Sequence, residues 1–182
     1  MSDPDDTKGP FEIVAQSPHS WLMAATQLKR AADLVRQELR KVLAVYPDGR
    51  ARYEDLALFK SYTLLSGLAI ENLVKGILVG RNPGVVSPDR LDLNQLAGSK
   101  GGHSLLKLAQ QVSPALAHNE VDMLGRLETF VIWAGRYPIH LRSAETVHPA
   151  FVSTDPALVD RLFTKFIAIL AEENPAPTVR FA

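Results

Sequence analysis

An all-α fold is predicted by three features of this 182-residue chain. Apolar residues recur at alternating steps of four and three from Trp21 to Tyr46, which is the seam of a long helix. Ser61 to Arg81, SYTLLSGLAIENLVKGILVGR, is a second long apolar segment. No stretch alternates convincingly with period two, as a half-buried strand would. The expected architecture is an up-and-down bundle of about five helices, opened by two long antiparallel ones.

The second segment is nearly long enough and apolar enough to cross a membrane, but Glu71 and Lys75 interrupt its centre. Either charge would cost several kcal/mol at a bilayer midplane. Four apart with the acid first, they lie on one helical face and attract each other. The segment therefore reads as the central helix of a soluble bundle, and no membrane partner is expected.

At 46% hydrophobic residues, the chain is sized for one core and one domain. We place that domain at residues 17–174, between a loosely ordered tail at 1–16 and a second tail at 175–182. Twenty basic residues balance twenty acidic ones, so a nucleic acid or an anionic surface would have to be held by a local patch. The absence of cysteine removes disulfide and thiolate chemistry, and together with an acidic start that lacks a signal pattern it fits a cytoplasmic protein.

In order along the chain, Ser17-Pro18 supplies a capping hydroxyl and a first-turn proline to the first long helix. Its seam is Trp21, Ala25, Leu28, Ala32, Val35, Leu39, Val42 and Tyr46, and Tyr46-Pro47-Asp48-Gly49 stops it. The second helix runs from about Ala51 to Arg81 and stops at Asn82-Pro83-Gly84. Asn82 to Gly102 is the main loop, with a short helical candidate near Leu91 to Leu96. His103 to Val112 forms a third helix, and Ser113-Pro114 is a candidate for one further turn. Asn119 is expected to cap the next helix, with Glu120 and Asp122 favourable in its first turn and Gly135 and Pro138 ending it. Arg136 to Ser153 is irregular, and Asp155-Pro156 opens a last helix that ends at Asn174-Pro175.

The helix order, together with GLAIENLVKGILV, GHSLLKLAQ and LETFVIWAGRYPIH, resembles the HEPN superfamily over roughly Trp21 to Leu170. The resemblance implies a small helical bundle that dimerises. In many members it also implies metal-independent RNA cleavage by an arginine and a histidine separated by four to six residues. The nearest match is Arg136-Tyr137-Pro138-Ile139-His140, with only three residues between, and with Gly135 and Pro138 favouring a turn over a helix. A toxin–antitoxin or defence role, an RNA or nucleotide ligand, and an antitoxin or other protein partner are further expectations of the same resemblance.

The residues themselves allow two readings. In RNA cleavage, His140 would exchange a proton near neutral pH, and Arg136, permanently charged and planar, would meet the phosphorane charge. In the structural alternative, Arg136 pairs with Glu71 or Glu128, and the bundle is a noncatalytic dimerisation or interaction module. Glu71 and Lys75 are either a buried ion pair fixing helix register or the wall of a polar pocket beside Arg136 and His103, with Tyr137 and His140 in the same candidate cluster. Asn72 serves a backbone group or a ligand, and Tyr62 and Trp133 are candidates to stack bases.

Gly98 to Gly102 lacks the spacing of a phosphate loop, and the five histidines show no zinc-binding spacing, so neither a cofactor nor a metal is expected. Lys29, Arg30, Arg36, Arg40 and Lys41 read as a solvated face opposite the seam, with RNA phosphate contact as the minority reading.

Overall fold

Pro10 presets a helical backbone angle, and α1 (Pro10–Gln16) starts there, inside the stretch expected to be loosely ordered. The computed structural model describes residues 8–45, 55–92, 95–96, 104–134 and 155–175. The indole Nε1 of Trp21 donates to Ala15 O at 2.8 Å, fastening the end of α1 to the helix that follows. Residues 1–7 and 176–182 of the expected tails lie outside the described residues.

Ser17 separates the two helices in extended conformation, and its Oγ accepts the Ser20 amide at 3.3 Å. It thereby caps α2 (Pro18–Val45), whose Ala25, Ala32 and Leu39 are buried. Alanine at two of these positions lets α3 (Asp55–Arg81) approach closely, and α2 and α3 are the most extensively packed pair. Pro18 lies beside Gly80, Trp21 beside Gly76, and Arg36 within electrostatic reach of Tyr62, so the two helices are antiparallel.

Helix α3 passes a length and composition test for crossing a membrane, yet 72% of its most apolar window is buried within the protein. Its apolar surface is thus covered by neighbouring helices. Gly67 faces Leu127 and Val131, and Gly76 faces Trp21 and Leu170. Nine residues separate them, a rotation of about 180° at 3.6 residues per turn, so α3 packs on opposite sides at once.

Beyond α3 the main loop is more ordered than its composition suggests. A turn of 3-10 helix (Pro83–Val85) leads into a hairpin of β1 (Val86–Ser87) and β2 (Arg90–Leu91), in the register Val86 to Leu91. Val85 and Val86 are buried anchors. Strands of two residues are too short for period two to be visible, which is why the sequence shows none.

Helix α4 (Leu105–Val112) buries Leu105, Leu108, Ala109 and Val112 at helical spacing. Its first turn is capped from a distance: Glu128 accepts the Leu106 amide at 2.9 Å and the Ser104 hydroxyl at 3.4 Å. Ser113-Pro114 does not begin another helix.

Helix α5 (His118–Thr129) starts earlier than expected, with Ala117 rather than Asn119 at the cap. Glu120 reaches back to accept the Ala117 amide at 2.9 Å, which supplies the capping that an alanine side chain cannot. The helix continues as a π-helical segment, Phe130–Ala134, which buries Phe130, Val131 and Ala134; Phe130 meets Phe59 edge-on at 5.3 Å. The expected stop at Gly135 and Pro138 lies outside the described residues.

Helix α6 (Asp155–Glu173) buries Leu158, Val159, Leu162, Phe163, Phe166 and Leu170. Leu170 and Asn174 lie beside Gly76 and Gly80, so α6 runs parallel to α3. Arg126 to Asp155 and Lys165 to Glu120 pairs make α5 antiparallel to α6. Arg81 ties three ends together, with its guanidinium on both Glu173 oxygens at 2.6 and 2.8 Å and on the carbonyls of Gln111 and Val112.

Gly125 sits inside α5, and an added Cβ there would meet nothing within 4 Å. Gly125→Ala is expected to stabilise the fold by about 0.5–1 kcal/mol through reduced unfolded-chain entropy and better helix propensity, read as a raised urea midpoint at unchanged slope.

Candidate functional site

Glu71 and Lys75 stand in the most enclosed part of α3, where Ile70, Leu73 and Val74 are fully buried. The Lys75 ammonium donates to Glu71 Oε1, and the two side chains are 8% and 4% exposed. Asn72 donates to Leu68 O at 2.8 Å within its own helix, which assigns its amide to the backbone. His103, Arg136, Tyr137 and His140 lie outside the described residues, as does the Trp133 side chain. Glu128 is occupied at the start of α4.

Tyr62 is only 1% exposed and so cannot stack a base from solution. Its phenol is enclosed within electrostatic reach of Arg36 on α2 and Asp160 on α6. Burial pushes its hydroxyl up to about 12, against the opposing influence of Ser66 and Arg36. Ser66 is a near neighbour of this phenol, yet neither hydroxyl attains hydrogen-bonding geometry.

The basic face of α2 also departs from expectation. Lys29, Asp33, Arg36 and Arg40 follow at steps of four, three and four, and on average they lie about 70° from the buried Ala25, Ala32 and Leu39 seam rather than opposite it. Lys29 bonds Asp33 at 2.6 Å and Asp160 of α6 at 2.9 Å. Arg36 Nη1 donates to Asp160 Oδ2 at 2.8 Å. The Lys29 and Arg36 side chains are 12% and 17% exposed, so these two cations brace α2 against α6 instead of facing solvent. Lys29 also stands 5.8 Å over the Phe163 ring. Lys41 pairs with Glu38, while Arg30 and Arg40 remain on the surface.

Between α2 and α6 this arrangement leaves an open groove of about 440 Å3, lined among the described residues by Lys29, Asp33, Arg36, Gln37, Arg40, Asp160, Phe163 and Thr164. Sequence reasoning missed Asp160 as its companion. The one available signal was the i, i+4, i+7, i+11 charge stripe adjoining an apolar seam. Its partner 124 residues away has no local signature. Among the described residues no group of three histidines or carboxylates stands together as a metal site would.

No protein-family model, curated protein or solved structure matches this chain. The residues alone therefore carry the functional argument.

Asp160 gives the groove a pH dependence. Burial alone would raise its pKa, but hydrogen bonds and charge from Lys29 and Arg36 outweigh it, and the pKa is lowered from 3.8. A lowered folded-state value means stability that is complete above 3.8 and lost as pH falls through the folded value. Glu120 beside Lys165 and Glu173 beside Arg81 shift the same way, so the wild-type acid limb is composite. Asp160→Asn is expected to destabilise most at neutral pH and progressively less toward pH 2, as followed by urea midpoints. The effect is moderated because the aspartate is 42% exposed and partly screened by solvent.

Proposed function

We propose that this chain is a HEPN-like, noncatalytic helical module that dimerises or holds a partner protein, with Glu71 and Lys75 serving its core. The observation that carries this reading is the enclosure of that pair, since residues sealed inside α3 are out of reach of a macromolecular substrate. A supporting feature lies on the outer side of α2, where Met23, Leu34 and Val45 are 49%, 57% and 68% exposed. Spaced by 11 residues, close to three helical turns, they form one apolar line along the helix. Light scattering after gel filtration tests the dimer: Leu34→Glu should convert it to a folded monomer, and a monomeric parent would overturn self-association through this line.

The second reading is a metal-independent ribonuclease, or an RNA- or nucleotide-binding relative, of a toxin–antitoxin or defence system. Its specific support is Arg136 and His140 with three residues between them. Purified protein incubated with structured and single-stranded RNA in EDTA decides it. Cutting abolished by Arg136→Ala and by His140→Ala, with the fold retained, establishes the nuclease; no cutting, or cutting that survives both changes, leaves the binding module.

A further inference from the structure

We infer that the exposed apolar line of α2 pairs with a second copy of this chain, the two α2 helices lying antiparallel across a two-fold axis at Leu34. The inference rests on the interaction-module reading, and it names the partner and the register of contact.

The argument is self-complementarity. A two-fold axis between antiparallel helices sets each residue opposite the one equally far along the helix on the other side of the axis, so the patch must match itself. With the axis at Leu34 the two leucines meet, and Met23, eleven residues before it, meets Val45, eleven residues after it. The charges obey the same symmetry. Arg30 stands four residues before Leu34 and Glu38 four residues after it, so each Arg30 opposes Glu38 of the second copy, twice in the dimer. Gln27 and Lys41, seven residues before and after, meet as a carbonyl acceptor and an ammonium donor.

All of these positions fall within about 40° of Leu34 around the helix, a narrow strip about 33 Å long. Gln27, Arg30, Glu38 and Lys41 are exposed. Arg30 has no ion pair among the described residues, and Glu38 engages Lys41 of its own helix through Oε1 at 2.7 Å. Lys29, Asp33 and Arg36, which brace α2 against α6, lie about 100° or more away, so pairing leaves those braces intact. A parallel pair would set Arg30 against Arg30 and Glu38 against Glu38, which is repulsive. Because the strip carries both signs at symmetric positions, it matches itself better than it matches a uniformly charged partner.

The chain has no cysteine, so a thiol placed on α2 reports position without interference. At helix axes about 8–10 Å apart, facing residues bring their Cα atoms to about 4–5 Å, within disulfide reach. Under mild oxidation, read on non-reducing gels, Leu34→Cys should link into a covalent dimer. Met23→Cys and Val45→Cys should each stay unlinked alone and link when mixed. Arg40→Cys, exposed and about 120° off the strip, should stay unlinked. In sedimentation equilibrium of the full chain, Arg30→Glu and Glu38→Arg should each weaken association about tenfold, and the two together should restore it to within about twofold.

A parent that is monomeric at every concentration overturns the inference together with self-association itself. A dimeric parent separates the two. If Leu34→Cys does not link, if Met23→Cys links to itself, or if the double charge reversal fails to restore association, the dimer stands and this register is overturned.

Discussion

Replacing Lys75 with methionine is expected to destabilise the protein by about 3 kcal/mol, measured by urea unfolding at neutral pH. Methionine keeps the unbranched stem and helix propensity, so the change isolates the ammonium. Removing one partner of a buried pair typically costs about 3 to 5 kcal/mol, because the remaining charge has lost both water and countercharge. Glu71 makes a further contact besides Lys75, which sets the expected loss at the lower end of that range. Glu71→Gln should cost less, since lysine's longer stem can carry its charge toward solvent and a neutral amide can still accept its hydrogen bond.

The double change Glu71→Met with Lys75→Met separates the energetic worth of the pair from the damage of breaking it. Two apolar side chains of similar length in a well-packed site should restore most of the loss, and full or excess recovery is consistent with desolvation offsetting the attraction. The four midpoints form a cycle whose coupling energy reports the pair directly. A loss below about 1 kcal/mol for Lys75→Met would show that water reaches the site, and the enclosed-core basis of the interaction-module reading would fail with it.

The same residues show how far a sequence can be read. Glu71 and Lys75 were legible because helical periodicity is local: an acid four residues before a base must share a face of α3. Ser17 was legible as a cap for the same reason, since its acceptor role is completed three residues later by Ser20. Legibility ended where satisfaction came from elsewhere in the chain. The start of α4 is capped by Glu128 across 22 residues, and Lys29 and Arg36 are neutralised by Asp160 on the last helix. Asn119 looked like the better cap by residue type, but Glu120 could serve Ala117 from inside the helix and moved the boundary forward. The groove follows the same logic. Its charged wall is a visible stripe on α2, whereas Asp160, Phe163 and Thr164 complete it only because α6 packs alongside.

Gly76→Ala is expected to destabilise by about 2 kcal/mol, opposite in sign to the alanine substitution at Gly125. Both glycines are helical, so both replacements gain about 1 kcal/mol of propensity. At Gly125 nothing opposes the gain. At Gly76 the new Cβ would stand 2.6 Å from Trp21 Cβ, 3.3 Å from Trp21 Cγ and 3.5 Å from Leu170 Cδ1. Trp21 Cβ is fixed to the α2 backbone, so no rotamer change relieves the first contact. The helices must move apart, and Trp21 is itself held by its indole bond to Ala15 O. Overpacking of this kind costs about 1–3 kcal/mol, and a contact this short belongs at or above the upper end, which exceeds the propensity gain. Comparing the two variants in urea cancels the shared propensity term, so their difference of about 3 kcal/mol measures the closeness of α2 to α3. Equal midpoints for the two variants would mean that α2 and α3 are not in contact at Gly76, and the antiparallel pairing at the centre of the fold would have to be redrawn.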